Sequence, residues 1–146
     1  MEILAKKSRS NFSIAIKVKN IENNICASRL YYSAFQGSIV LLNTYSTTQG
    51  VKVNPATLSK INTLIKSIKT NSHCSHEDVI SALGLLVLKK VGYHSFISYR
   101  NDIKLLKNYR VIADYRSVHI TEEQIKDAFN LYNSVQTILK NKKLIT

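Results

Sequence analysis

A chain of 146 residues with a 45% apolar fraction has room for one compact core and not for two. Four glycines and one proline are too few for the many turns of a sandwich or barrel, so helices are favoured. The 21 Lys and Arg against 9 Asp and Glu leave a formal charge of +12, which points to a polyanionic or acidic partner and is silent on chemistry.

The opening stretch, MEILAKKSRSNFS, is basic but is followed by no apolar run of signal-peptide kind, so a cytoplasmic protein is expected. Ile14, Val18, Ile21 and Ile25 recur at helical steps, with the polar KNIENN marking a turn among them. From about Asn24 a long central helix is predicted, carrying Ala27, Tyr31, Ala34, Ser38, Leu41 and Tyr45 on one face. Residues 30–51 lack charge, but Ser33, Gln36, Ser38 and Asn43 make them too polar to cross a bilayer comfortably, so no membrane is expected.

NTYSTTQGVKVNPAT has loop chemistry, and Leu58, Ile61, Ile65 and Ile68 then form the stripe of a further helix. Ser75 with Asp78 three residues on has the form of a capping box, and the apolar VISALGLLVLKKV after it predicts the most buried helix. Residues 95–116 read as the next helix, with Phe96, Ile103, Leu106 and Ala113 inward. Thr121 with Gln124 signals a last one carrying Ile125, Ala128, Phe129, Tyr132, Val135, Ile138 and Leu139. The expected fold is all-α: an antiparallel bundle of five or six helices in a single domain spanning 1–146, with an elaboration at about 46–73.

Chemistry concentrates in LLKNYRVIADYRSVH, residues 105–119. On a helix, Arg110 falls on the side of Ile103 and Leu106, and a guanidinium under apolar cover needs a partner. Asp114, four residues on, is the nearest. Such a pair also serves to hold a helix or a subunit contact, and that reading stands beside a catalytic one.

Three blocks carry a resemblance. NFSIAIKVKNIENNICASRLYYSAFQGSIVLL, with Ser28, Arg29, Tyr31, Tyr32 and Phe35, is similar to the paired N-terminal helices of the HEPN domains (higher eukaryotes and prokaryotes nucleotide-binding). SHEDVISALGLLVLKKVG resembles that family's SHxxVI segment, and LLKNYRVIADYRSVHITEEQIKDAFNLYNSVQTIL its RxxADY helix end and last helix. The resemblance covers about residues 11–42 and 75–139. It implies a helical bundle that forms a homodimer through the region of the Arg-bearing helix. Many members are metal-independent endoribonucleases of toxin–antitoxin or antiviral systems, and some pair with a nucleotidyltransferase or an antitoxin. Their motif is an Arg followed, after roughly four to six residues, by a His. The logic is attack of the RNA 2′-hydroxyl on the adjacent phosphate, which needs a fixed cation and a proton carrier.

The sequence departs from that pattern at one place. Tyr115 stands where the His is expected, and a phenol is a poor base at neutral pH. His119 is the next histidine downstream. On the nuclease reading, Arg110 neutralises phosphate, Asp114 orients it and Tyr115 or His119 handles the proton, while Lys104, Lys107 and Arg116 steer the RNA backbone. The alternative is a non-catalytic HEPN scaffold whose Arg110–Asp114 pair fixes a dimer and whose basic surface docks a partner such as a nucleotidyltransferase. No cofactor and no metal are expected: HCSHED gathers His73, Cys74, His76 and Glu77, but no second segment supplies further ligands, and His76 reads as a residue near a helix start. Cys26 and Cys74 read as reduced thiols, and Tyr31 and Tyr32 as core or dimer contacts.

Overall fold

The computed structural model describes residues 2–47 and 75–145, with the isolated positions 55, 56, 59, 62, 63 and 66 between them. Among the described residues there are six helices and no strand: α1 (Glu2–Val18), α2 (Asn23–Thr47), α3 (His76–Lys90), α4 (Tyr93–Tyr115), α5 (Glu122–Leu139) and α6 (Lys142–Ile145). Of the helix expected over 58–68, Ser59, Asn62, Thr63 and Lys66 are described and are helical, while its apolar stripe of Leu58, Ile61, Ile65 and Ile68, and most of the elaboration it belongs to, lie outside the described residues. No helix is long and apolar enough to cross a membrane among the described residues.

The KNIENN turn forms as the sequence suggests. The Val18 carbonyl accepts from the Ile21 and Glu22 amides, and Asn20 takes the left-handed φ of 61° that asparagine tolerates. Its amide donates to Asn23 Oδ1 at 2.9 Å, where α2 begins. The chain therefore reverses and α1 lies antiparallel along α2. Three rungs hold the pair: Ser8 and Ser33 each donate a hydroxyl to the other's carbonyl, at 2.7 and 2.8 Å; Asn11 donates to Gln36 Oε1 at 2.9 Å; and the Cys26 thiol donates to the Ala15 carbonyl at 3.3 Å. Burial pushes that thiol up to about 11, against the field of Lys19, so Cys26 is an inert core residue.

α2 is the centre of the molecule, touching α1, α3, α4 and α5. Its buried face carries Leu30, Tyr31, Ala34 and Leu42, and the core continues through Ile80, Leu83 and Leu86 of α3 and Ile103 and Leu106 of α4. Each fully covered Leu or Ile contributes about 1.5–3 kcal/mol relative to exposure. Buried tyrosines keep their hydroxyls partnered: Tyr99 donates to Ser38 Oγ at 3.0 Å, and Tyr132 lies 3.0 Å from Ser33 Oγ.

α3 starts at Ser75, whose hydroxyl accepts from the Asp78 amide at 3.1 Å. A complete reciprocal box forms at Thr121 and Gln124, ahead of α5. The turn from α3 to α4 depends on Gly92 at φ 140°, which L side chains rarely adopt. α4 begins two residues before the predicted start, and Tyr99 joins its inward face. α4 and α5 are antiparallel, tied by the Tyr109 hydroxyl to Asp127 at 2.7 Å and the Ser134 hydroxyl to Asp102 at 2.6 Å. The short α6, which periodicity did not signal, covers α3 and buries Leu144.

Candidate functional site

α2 and α4 run antiparallel, so two helical ladders face each other. Ser28 and Tyr32, one turn apart on α2, meet Asp114 and Arg110, one turn apart on α4. The Arg110 side chain is only 13% exposed. Its Nη2 donates to Tyr32 Oη at 2.8 Å and to Tyr115 Oη at 3.4 Å. Nε lies 3.2 Å from Asp114 Oδ2 yet is buried and off the line of a hydrogen bond, so charge rather than hydrogen bonding holds that pair. The Ser28 hydroxyl donates to the same carboxylate oxygen at 3.3 Å. Nη1 makes no hydrogen bond among the described residues and is the guanidinium nitrogen left for an anion.

Aromatic faces complete the enclosure. The Arg110 Cζ sits 5.3 Å from the Tyr32 ring centre, 5.3 Å from that of Tyr115 and 5.9 Å from that of Tyr31. Burial works against the charge. It is outweighed by the Tyr32 hydrogen bond and by the facing Tyr115 and Asp114, and the arginine's pKa ends above its ordinary value. Arg110 is therefore a fixed cation at any working pH.

Alongside lies a cleft of about 310 Å³ lined by Asn24, Ile25, Ser28, Arg29, Tyr32, Ala113 and Asp114. Asn24 closes one end. Its amide donates to the Val118 carbonyl at 3.0 Å and its Oδ1 accepts from the Ile120 amide at 2.9 Å, so the chain after α4 is tied back to α2. Arg29 reaches across to Asn11 Oδ1 at 3.0 Å.

The structure brings Arg110, Asp114 and Tyr115 together and leaves His119 apart. His119 is exposed between two residues that Asn24 pins, and it makes no contact with Arg110. Tyr115 is 72% exposed at the rim, with its hydroxyl directed at the arginine. Lys104 and Lys107 line the same face of α4 but already meet Glu77 of α3, at 3.9 and 3.3 Å. Arg116, exposed at the end of α4, has no ion pair among the described residues.

Two side chains escaped the reading of the sequence as site residues. Tyr32 is half-buried and carries the guanidinium, unlike its neighbour Tyr31, which is fully in the core as expected. His76 begins α3, as expected, but its ring also stacks on Phe35 at 4.2 Å, and its Nδ1 lies 2.7 Å from Tyr31 Oη. The usable signal was the four-residue spacing of Ser28 and Tyr32, which matches that of Arg110 and Asp114. No group of three or more His, Cys, Asp or Glu able to hold a metal occurs among the described residues, outside which His73 and Cys74 lie.

Comparison of the chain with models of protein families, with curated proteins and with solved structures finds no match.

Proposed function

We propose that the chain is a HEPN-like protein that engages RNA and cuts it without a metal, acting as a cytoplasmic homodimer in a toxin–antitoxin or phage-defence module. The observation that carries the reading is the state of Arg110: a permanently charged guanidinium under aromatic cover, held by Tyr32, Tyr115 and Asp114, with Nη1 making no hydrogen bond among the described residues and with two of its partners, Tyr32 and Asp114, lining a cleft of about 310 Å³. A structural ion pair needs no such free N–H. A phosphate-binding arginine does, because it must keep a charged donor for a phosphate oxygen. Asp114 holds the guanidinium by charge while the Tyr32 bond directs it, Tyr115 offers a hydroxyl to the reacting oxygens, and Lys104, Lys107 and Arg116 steer the backbone. Glu77 must release its two lysines when RNA phosphates arrive.

The test is the binding of a labelled mixed RNA pool at rising salt. If three phosphates are neutralised, affinity for a single strand falls ~20-fold between 50 and 200 mM salt. Arg110→Ala then binds less tightly and with a shallower slope. A salt-independent affinity, or an unchanged slope in the variant, removes the phosphate role.

One observation favours a scaffold instead. Ile21, Ile25, Tyr115 and Val118 are exposed large apolar residues on segments that border the cleft. On that reading the face docks a partner such as a nucleotidyltransferase, and Ile25→Asp abolishes complex formation while RNA binding stays weak and non-specific.

A further inference from the structure

Resting on the ribonuclease reading, the geometry points to His76 as the catalytic proton acceptor of the Arg110 site, with Tyr31 as its positioning residue. His76 and Arg110 come from different helices, α3 and α4, and share one aromatic floor. The Tyr32 hydroxyl accepts from Arg110 at 2.8 Å, and the Tyr32 ring lies edge-on to His76 at 6.5 Å. Tyr31 links them again, with Arg110 Cζ 5.9 Å from its ring centre and its hydroxyl oxygen 2.7 Å from His76 Nδ1. Phe35 stacks on the imidazole at 4.2 Å and 27°, which fixes the ring plane. The Ser75 cap fixes the backbone from which the ring projects.

Only Nδ1 is engaged. Nε2 has no hydrogen-bond partner among the described residues. Proton acceptance at Nε2 requires the tautomer whose Nδ1–H donates to the Tyr31 oxygen: Nε2 then keeps its lone pair, and the same phenol oxygen supports the imidazolium when it forms. The charged and titratable groups facing His76 are Tyr31 and Tyr32 from α2, Lys107 and Arg110 from α4, and Glu77 beside it on α3. Burial, then Lys107 and Arg110, lower its pKa against the opposing field of Glu77, so at neutral pH the ring is unprotonated and able to accept. His119, in contrast, has no partner among the described residues to fix its ring and no contact with the arginine.

In the step that follows, the RNA 2′-hydroxyl passes its proton to His76 Nε2 as its oxygen bonds to phosphorus. The bond from phosphorus to the 5′-oxygen breaks, and that oxygen takes the Tyr115 hydroxyl proton. Tyr115 regains a proton from water and His76 returns one, so the protein ends as it began. The products are a 2′,3′-cyclic phosphate and a 5′-hydroxyl. Arg110 carries the charge of the phosphorane throughout.

The experiment is kcat/KM against pH on a labelled RNA pool in EDTA, with RNA affinity measured in parallel. The proteins are wild type, Arg110→Ala, His76→Gln, His76→Phe and Tyr31→Phe. The inference expects His76→Gln and His76→Phe to bind RNA as wild type does and to cut it about 10²–10⁴-fold more slowly, with the acid limb of the profile gone. His76→Phe preserves the stack on Phe35 but not the bond to Tyr31, so a histidine that serves only as a stacking ring predicts near-normal cutting there, and Tyr31→Phe reads the loss of that bond alone. Wild-type rate and an unchanged acid limb in either His76 variant overturn the inference and leave the Arg110 reading standing. No cutting by wild type at any pH overturns both. Should neither His76 variant fold, Tyr31→Phe decides: it removes only the hydroxyl, and an acid limb that moves supports the inference, whereas one that stays in place refutes it.

Discussion

Tyr32→Phe deletes a single hydroxyl from the site. The ring stays 5.3 Å from the Arg110 Cζ, while the 2.8 Å bond from Nη2 disappears. A hydrogen bond to a charged group contributes about 1.5–3 kcal/mol. Part of that returns here, because Nη2 retains the longer bond to Tyr115 at 3.4 Å and can draw it in. The expected loss is therefore about 1–2 kcal/mol, or a fall in Tm of ~3–8 °C for a domain of this size. Arg110→Ala costs more, because it also breaks the pair with Asp114 and uncovers three rings. Once Arg110 is absent, the Tyr32 hydroxyl has nothing to hold, so the double variant is about 1 kcal/mol more stable than the sum of the single losses implies. Urea unfolding of the four proteins at pH 7 measures this coupling. Additivity within about 0.3–0.5 kcal/mol would mean that the two side chains do not act together, and the account of how Arg110 is held would fall.

Asn24→Ala removes the amide that holds the Val118 carbonyl and the Ile120 amide. It should cost about 1–3 kcal/mol and speed hydrogen exchange at Ile120 while leaving the Tyr99 amide protected, a contrast readable by exchange NMR. His76 gives a pH signature. Its folded pKa lies below the ordinary 6.5, so the unfolded chain takes up the proton first. The contribution is whole above pH 6.5 and is lost as the pH falls through the window beneath it, with a slope of at most about 1.4 kcal/mol per pH unit. Urea midpoints at a series of pH values from 7.5 down to 5 should show wild type losing stability faster than His76→Gln, and parallel curves would mean the imidazole is not desolvated.

The long helices were legible because each carries an apolar stripe and a polar break: the stripe over Ile125 to Leu139 and the Thr121–Gln124 box placed α5 to the residue. The start of α4 was not, since Gly92 ends α3 through its φ of 140° and offers no capping side chain to read. α6, with four residues, is too short to show a period. The Arg110–Asp114 pair could be read because it lies within one helix. Its other partners could not. Tyr32 is 78 positions from Arg110 and Ser28 is 86 from Asp114, and only the antiparallel packing of α2 on α4 brings them in. Nearness in sequence misled for His119, because Asn24 ties the chain on either side of it to α2 and the imidazole stays in solvent. His76 was placed correctly at a helix start, but its bond to Tyr31 spans 45 positions and carries no local signal.

The central claim is that Arg110 serves RNA chemistry and not merely the cohesion of α2 and α4. The direct measurement is cleavage of mixed tRNA and mRNA by purified wild type and Arg110→Ala in EDTA, both confirmed folded by circular dichroism at the assay temperature. Cutting by wild type that leaves 5′-hydroxyl ends, and is lost by at least about a hundredfold in the variant, is the predicted result. Equal behaviour of the two folded proteins would contradict the claim and leave Arg110 as a structural ion pair.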